Sequence, residues 1–298
     1  MSKVRIEWAA RKYLWKKLVS MKKILIPTDF SKNAKKATDY ALTLFNETGV
    51  VVTLLNTFYI PYSAPDVAFS VSDVSYDNAK MLFEKEQKRI KEKFPNMKFT
   101  IDEKFSIGDV VNVVCSMERK EEFDLIVMGT KGASGMTEVL VGSRTASMVK
   151  SAKTPLLVVP EDADLNAPKR ILFTADEELI DRKVNFDVLK EIANSNRSKI
   201  DALHISNSDE NKEVIAAFID YELDLNFVDI PHELRMERGK DIEKAIEKYT
   251  EKYPTDLLVM ISTKGNLFYN LFHKSNTRKV AMHTKIPLLI LHSNLKND

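Results

Sequence analysis

Three segments of this chain recur in the same order, and that recurrence constrains its architecture more than any other feature. KKILIPTD (Lys22–Asp29) returns as KRILFTAD (Lys169–Asp176), LIVMGTKG (Leu125–Gly132) as LVMISTKG (Leu258–Gly265), and TPLLVV (Thr154–Val159) as IPLLIL (Ile286–Leu291). The offsets are 147, 133 and 132 residues. Ordered matches at near-constant spacing mean a tandem duplication, with each copy one folding unit. A chain of 298 residues fits two such units at roughly 150 residues each. The seam falls at Pro160–Pro168, a short polar stretch bounded by prolines. The organisation read from this is an extension (residues 1–20), a first copy (21–160), a linker (161–168) and a second copy (169–298). The offset shrinks by fourteen residues after the first match, so the first copy has the longer middle. Pro61, Pro65 and a run of Ser and Asp predict that this excess is a loop over Phe58–Asn78.

Within each copy, short β-branched runs alternate with segments of helical period. In the first copy Ile24–Pro27 reads as a strand, and Ser31 caps a helix reaching Phe45. Val50–Thr57 and Lys98–Phe105 read as strands around a charged helix at Asn78–Phe94. Asp109 caps a helix to Arg119, and the buried strands Leu125–Met128 and Leu156–Val159 flank a helix from about Thr145. Continuously apolar strands alternating with helices predict parallel sheets covered on both faces. The fold class is therefore α/β: two tandem doubly wound, Rossmann-like domains with five-stranded parallel sheets.

Composition narrows the function. Hydrophobic residues at 44% and charged residues at 30% describe an ordinary globular chain. A net charge of +2, from 45 basic and 43 acidic residues, gives no general electrostatic case for nucleic acid or membrane binding. Cys115 is the single cysteine, which reads as a reducing, cytoplasmic setting. Residues 1–20 carry six basic side chains against Glu7, with Val4, Trp8, Leu14, Trp15 and Leu18 at loose helical spacing. They read as an extension upstream of a natural start at Met21, with a helix lying on anionic lipid as the competing reading.

Glycine is scarce, yet four of the eight glycines, Gly129, Gly132, Gly135 and Gly142, fall in one window of fourteen residues. The window follows a strand and leads into a helix, where backbone amides and the helix dipole favour phosphate. Ser143 and Thr145 add hydroxyl donors there, and Lys131 and Arg144 add positive charge. Asp29 closes the first strand, where a carboxylate can accept from a ribose hydroxyl or an adenine amino group. GxxxxGK[ST] and GxGxxG are absent, so the site is of another design.

ILIPTDFS, DLIVMGTKG and the pattern Gly129-x-x-Gly132-x9-Gly142-Ser143 resemble the universal stress protein family, over almost all of each copy. The resemblance implies an adenine nucleotide, ATP or ADP or AMP with Mg²⁺, bound by the first copy. It implies that Pro27, Thr28 and Asp29 line the adenosine pocket with Thr57 flanking adenine. Met128 and Gly129 would face adenine and ribose, with Gly132, Gly142, Ser143, Arg144 and Thr145 at the phosphates. Arg144 departs from the small or β-branched residue common at its position. In the second copy the matching segment is Ser262-x-x-Gly265 followed by Ser275-Asn276, with Ile261 set against Met128. That copy is expected to bind no nucleotide. The resemblance further implies that Leu156–Val159 and Leu288–Leu291 pair across the copies, with a homodimer as a further option.

Five histidines lie at no metal-binding spacing, Glu84–Lys93 reads as a solvated helix face, and Cys115 as a packed side chain. The expected function is a nucleotide-dependent sensor or switch in a stress response, acting on an unnamed protein partner. A slow ATPase at the same site and a non-binding scaffold rank behind it, since no residue stands out as a base to position water.

Overall fold

The computed structural model describes residues 21–58, 65–130, 143–175, 183–206, 211–239, 242–262 and 285–294. The first half runs β1 (Lys22–Pro27), α1 (Lys32–Leu44), β2 (Val50–Phe58), α2 (Pro65–Lys93), β3 (Phe99–Ile107), α3 (Val110–Glu118), β4 (Leu125–Gly129), α4 (Ser143–Ser151), β5 (Leu156–Val159). The second runs β6 (Arg170–Ala175), β7 (Lys183–Val184), α5 (Asp187–Asn196), β8 (Lys199–Ser206), α6 (Lys212–Asn226), β9 (His232–Arg238), α7 (Ile242–Lys252), β10 (Leu257–Ser262), β11 (Leu288–Asn294). The caps read from sequence are present. Ser31 Oγ accepts from Ala34 N, and Asp109 accepts from Val111 N and Asn112 N.

All the strands join one sheet, in the order β3-β2-β1-β4-β5-β11-β10-β6-β8-β9. Each half is parallel inside, and the halves meet where β5 and β11 pair antiparallel, Leu157 opposite Leu289. β7 pairs with the tip of β11. Alternation along the strands makes two cores that cross this seam. Leu125, Val127, Leu157, Val159, Leu289 and Leu291 face α1, α2, α5 and α6. Ile126, Met128, Leu156, Val158, Leu288 and Ile290 face α3, α4 and α7. Asn196 adds a polar tie between the halves, donating from Nδ2 to Leu44 O at 2.9 Å.

Two expectations are corrected. From Pro65 onward the supposed loop over Phe58–Asn78 is helix, because proline is tolerated at a first helical position; residues 59–64 lie outside the described residues. The face Glu84–Lys93 is only partly solvated. Arg89 and Lys93 reach Asp39 on α1 at 2.7 Å, Arg89 also binds Glu86 at 2.7 Å, and both carboxylates are buried. The pair Lys88–Glu92, at 3.9 Å, does lie on the exposed side. Cys115 is half-buried beside Ser151 O, and burial foremost raises its thiol pKa.

The strand register also shifts the equivalence of the two copies by one residue. Ile24 pairs with Leu125, and its counterpart Ile171 pairs with Leu257. Ile126 pairs with Leu156, and Leu258 with Leu288. Met128 therefore matches Met260, Gly129 matches Ile261, and Thr130 matches Ser262. The matching letters GTKG and STKG suggested an alignment one residue out, which would have turned every β10 side chain to the wrong face.

Truncating the seam at Ile290→Ala, a fully buried position, is expected to cost about 2–5 kcal/mol, read by urea denaturation. On the same strand, burial holds the His292 imidazole below the usual histidine range, and Glu118 offsets this only in part. The folded state thus favours neutral His292, so stability is lost as pH falls below the ordinary histidine pKa of about 6.5. Denaturation at pH 7.5 and 5.5 is expected to show a smaller acid loss for His292→Leu than for the parent.

Candidate functional site

Strand order reverses between β1 and β4: the chain leaves β1 for β2 on one side, while β4 lies on the other. In open α/β sheets the crevice at the carboxyl ends of such strands takes ligands. The register places Pro27 and Thr28 beside Met128 and Gly129 at that rim. The first turns of α1, α3 and α4 open on the same rim, because each helix follows the C-terminal end of a strand. Of these, α1 and α4 flank the β1–β4 crevice, and their N-termini favour an anion.

The turn after β1 is tightly built. Thr28 N donates to Leu55 O at 2.8 Å, and Asn56 Nδ2 donates to Thr28 O at 2.7 Å. Thr28 Oγ1 accepts from Phe30 N at 3.0 Å. Phe30 has φ +59°, a left-handed conformation costing a non-glycine residue about 1–2 kcal/mol. Its ring packs edge-on against Phe83, with centroids 5.1 Å apart. This strained turn presents Asp29 at the surface, where Oδ1 accepts from Ser31 N at 3.0 Å. Thr57 is half-buried near the end of β2, opposite Ser106.

On the β4 side, Met128 is buried in the core beneath α4. Gly129 closes the strand, and Thr130 N donates to Val159 O at 3.1 Å. Ser143 and Arg144 are exposed in the first turn of α4. Thr145, expected to face phosphate, is buried and donates its hydroxyl to Gly129 O at 2.9 Å. Its proton is therefore already committed, and the side chain anchors α4 to the end of β4. Lys131, Gly132 and Gly142 lie outside the described residues, as do Asp176, Gly265, Ser275 and Asn276.

Sequence reasoning passed over Asn33, Asn56 and Phe30, which build the rim. Asn56 carried a detectable signal only through its counterpart. By register it matches His204, whose Nδ1 donates to Ala175 O at 3.0 Å, as Asn56 does to Thr28 O. The second half keeps this tie but changes the rim. Ile261 stands where Gly129 does and packs against the core. Helix α5 opens at Asp187, twelve positions past Ala175, whereas α1 opens at Lys32, four past its counterpart Thr28.

Residues 21–160 match the sequence model of the Universal stress protein family. The first half of this chain belongs to that family. Two universal stress proteins of Methanocaldococcus jannaschii align with the chain. One is 29% identical over 167 residues, covering 53% of this chain and 96% of the relative. The other is 26% identical over 155 residues, covering 47% and 96%. Across the whole fold, a universal stress protein from Archaeoglobus fulgidus superposes with a TM-score of 0.68 at 19% identity. That alignment covers 93% of this chain and 98% of the other, and it shows the shared fold. Among the described residues no helix is long and apolar enough to cross a membrane.

In this universal stress protein domain Thr145→Val leaves the half-buried Gly129 carbonyl without this donor. The expected loss is about 1–3 kcal/mol, measured by denaturant titration without any ligand.

Proposed function

We propose that the first half binds one adenine nucleotide, ATP with ADP and AMP as its shorter forms, at the rim where β1 and β4 end. The observation that carries this reading is that the Asp29 turn follows β1 while the N-terminus of α4 is anchored to the end of the neighbouring β4, on the two sides of the point of strand reversal. A carboxylate suits ribose or the adenine amino group, and a helix N-terminus suits phosphate. Asp29, with the backbone of Pro27 and Thr28, takes the adenosine, and Thr57 flanks the base. Ser143 and the amides of α4 take phosphate oxygens, with Arg144 beside them. Lys131, Gly132 and Gly142 complete the glycine loop, while Met128, Gly129 and Thr145 support its base.

The residues fit Mg²⁺ only through the nucleotide. Among the described residues no group of three acidic, histidine or cysteine side chains gathers a metal. Mg²⁺ keeps several waters and binds by phosphate oxygens, so the chain's part is to hold the phosphates. Nucleotide occupancy would order the rim and bias a surface read by a protein partner in a stress response. The second half, with Ile261 filling the Gly129 position, serves as a structural partner without a nucleotide.

Gently purified protein is expected to release one adenine nucleotide per chain, detected by mass spectrometry, and to bind ATP in isothermal titration. Two nucleotides per chain would refute the assignment of the second half, and no heat at millimolar ATP would refute the reading. Ser143→Ala should weaken ATP about tenfold, the effect of one lost charge-assisted hydrogen bond. Gly142→Trp should abolish binding. Release of ADP over hours separates a slow ATPase from a switch.

A further inference from the structure

Backbone freedom does not account for the glycine at 129, and its surroundings are set by a neighbouring side chain. Among the described glycines only Gly49 and Gly108 have positive φ, so Gly129 occupies a conformation open to any residue. What excludes a side chain is Asn33. A Cβ at position 129 would lie 2.7 Å from Asn33 Nδ2, 2.8 Å from its Cγ and 3.2 Å from its backbone carbonyl oxygen. Asn33 is 5% exposed in the first turn of α1, four residues past Asp29.

The second half carries the complementary arrangement. There the residue matching Gly129 is Ile261, whose side chain packs on the same face of the sheet. Its helix α5 begins eight positions later relative to the preceding strand than α1 does. One copy joins an early helix start to a missing side chain, and the other joins a late start to a large one. The two features vary together because they fill one volume, and protein interiors leave few voids.

We infer that Asn33 is the positioning residue of the nucleotide rim, and that residue 129 is glycine to admit Asn33 rather than the ligand. The inference rests on the nucleotide reading of the first half for its functional consequence. Asn33 presses on Gly129 from the α1 side, while Thr145 Oγ1 holds the Gly129 carbonyl from the α4 side. The Gly129 peptide is thereby clamped between the helix that follows Asp29 and the helix that opens at Ser143. Asn33 sets the separation between the carboxylate that takes adenosine and the helix N-terminus that takes phosphate.

The test is a double-mutant cycle of Asn33→Ala and Gly129→Ala in the full chain, read by ATP titration and thermal melting. Gly129→Ala should weaken ATP about tenfold or more and lower the melting temperature, as overpacking does. Asn33→Ala alone should weaken ATP a few fold, since the turn loses its support. In the double variant Asn33→Ala removes both atoms closest to the new Cβ, so ATP affinity should return to within about threefold of the parent. Asn33→Ala thus harms the parent and helps the alanine variant, a reversal that simple loss of structure does not produce. Melting restored without restored affinity would mean that the ligand needs the space at 129, and would overturn the inference. So would Gly129→Ala binding ATP like the parent. If the parent itself binds no nucleotide, the functional reading fails. The melting temperatures of the four proteins then still decide whether Asn33 and Gly129 share one volume.

Discussion

The antiparallel pairing of β5 with β11 is the constraint on which the architecture depends. Each half ends in a short apolar strand whose backbone groups would face solvent if the half stood alone. An exposed apolar edge is a template for aggregation. Pairing Leu156–Val158 with Leu288–Ile290 removes both edges at once and lets each core continue into the other. Because the pairing is antiparallel, the two halves are related by an approximate twofold, and the strand order of one mirrors the other. Asn196, capped onto Leu44 O, and Lys36, donating to Glu161 O at 2.7 Å, tie helices and linker across the same junction. The second half contributes to the first by closing its sheet, whatever it binds.

Within that frame the two copies keep their scaffold and differ at the rim. The tie between the second strand and the end of the first is retained with changed chemistry, Asn56 in one copy and His204 in the other. Both side chains supply an N–H to a strand-end carbonyl that would otherwise be buried without a donor. At position 129 the copies diverge, glycine against isoleucine, together with the start of the helix that packs there. In the first copy the early helix turn brings Asp29, Ser31 and Asn33 to the rim.

Much of this was legible in residue order. The repeat, the strand cores, the caps Ser31 and Asp109 and the placing of Asp29 just past the end of the first strand follow from pattern and local chemistry. The helical start at Pro65 was hidden because proline, serine and aspartate serve both turns and first helical turns. The buried cluster of Asp39, Glu86, Arg89 and Lys93 was hidden because charges at helical spacing look alike whether they face water or another helix. Thr145 showed a hydroxyl near a helix start, but its partner, the Gly129 carbonyl, is set by how α4 returns to β4.

The amino-acid sequence alone determined that the chain holds two copies of one α/β unit, and that the first copy carries an intact glycine pattern. It did so because hydrophobic period, turn residues and repeated segments are local properties. Only the tertiary structure decided which residues of the copies correspond. A strand alternates its faces every residue, so an equivalence off by one exchanges core for core, and hydrogen-bonded neighbours alone reveal it. That register turned Ser262 into the counterpart of Thr130 and Ile261 into the counterpart of Gly129. It also placed Asn33, ninety-six positions earlier in the chain, against Gly129.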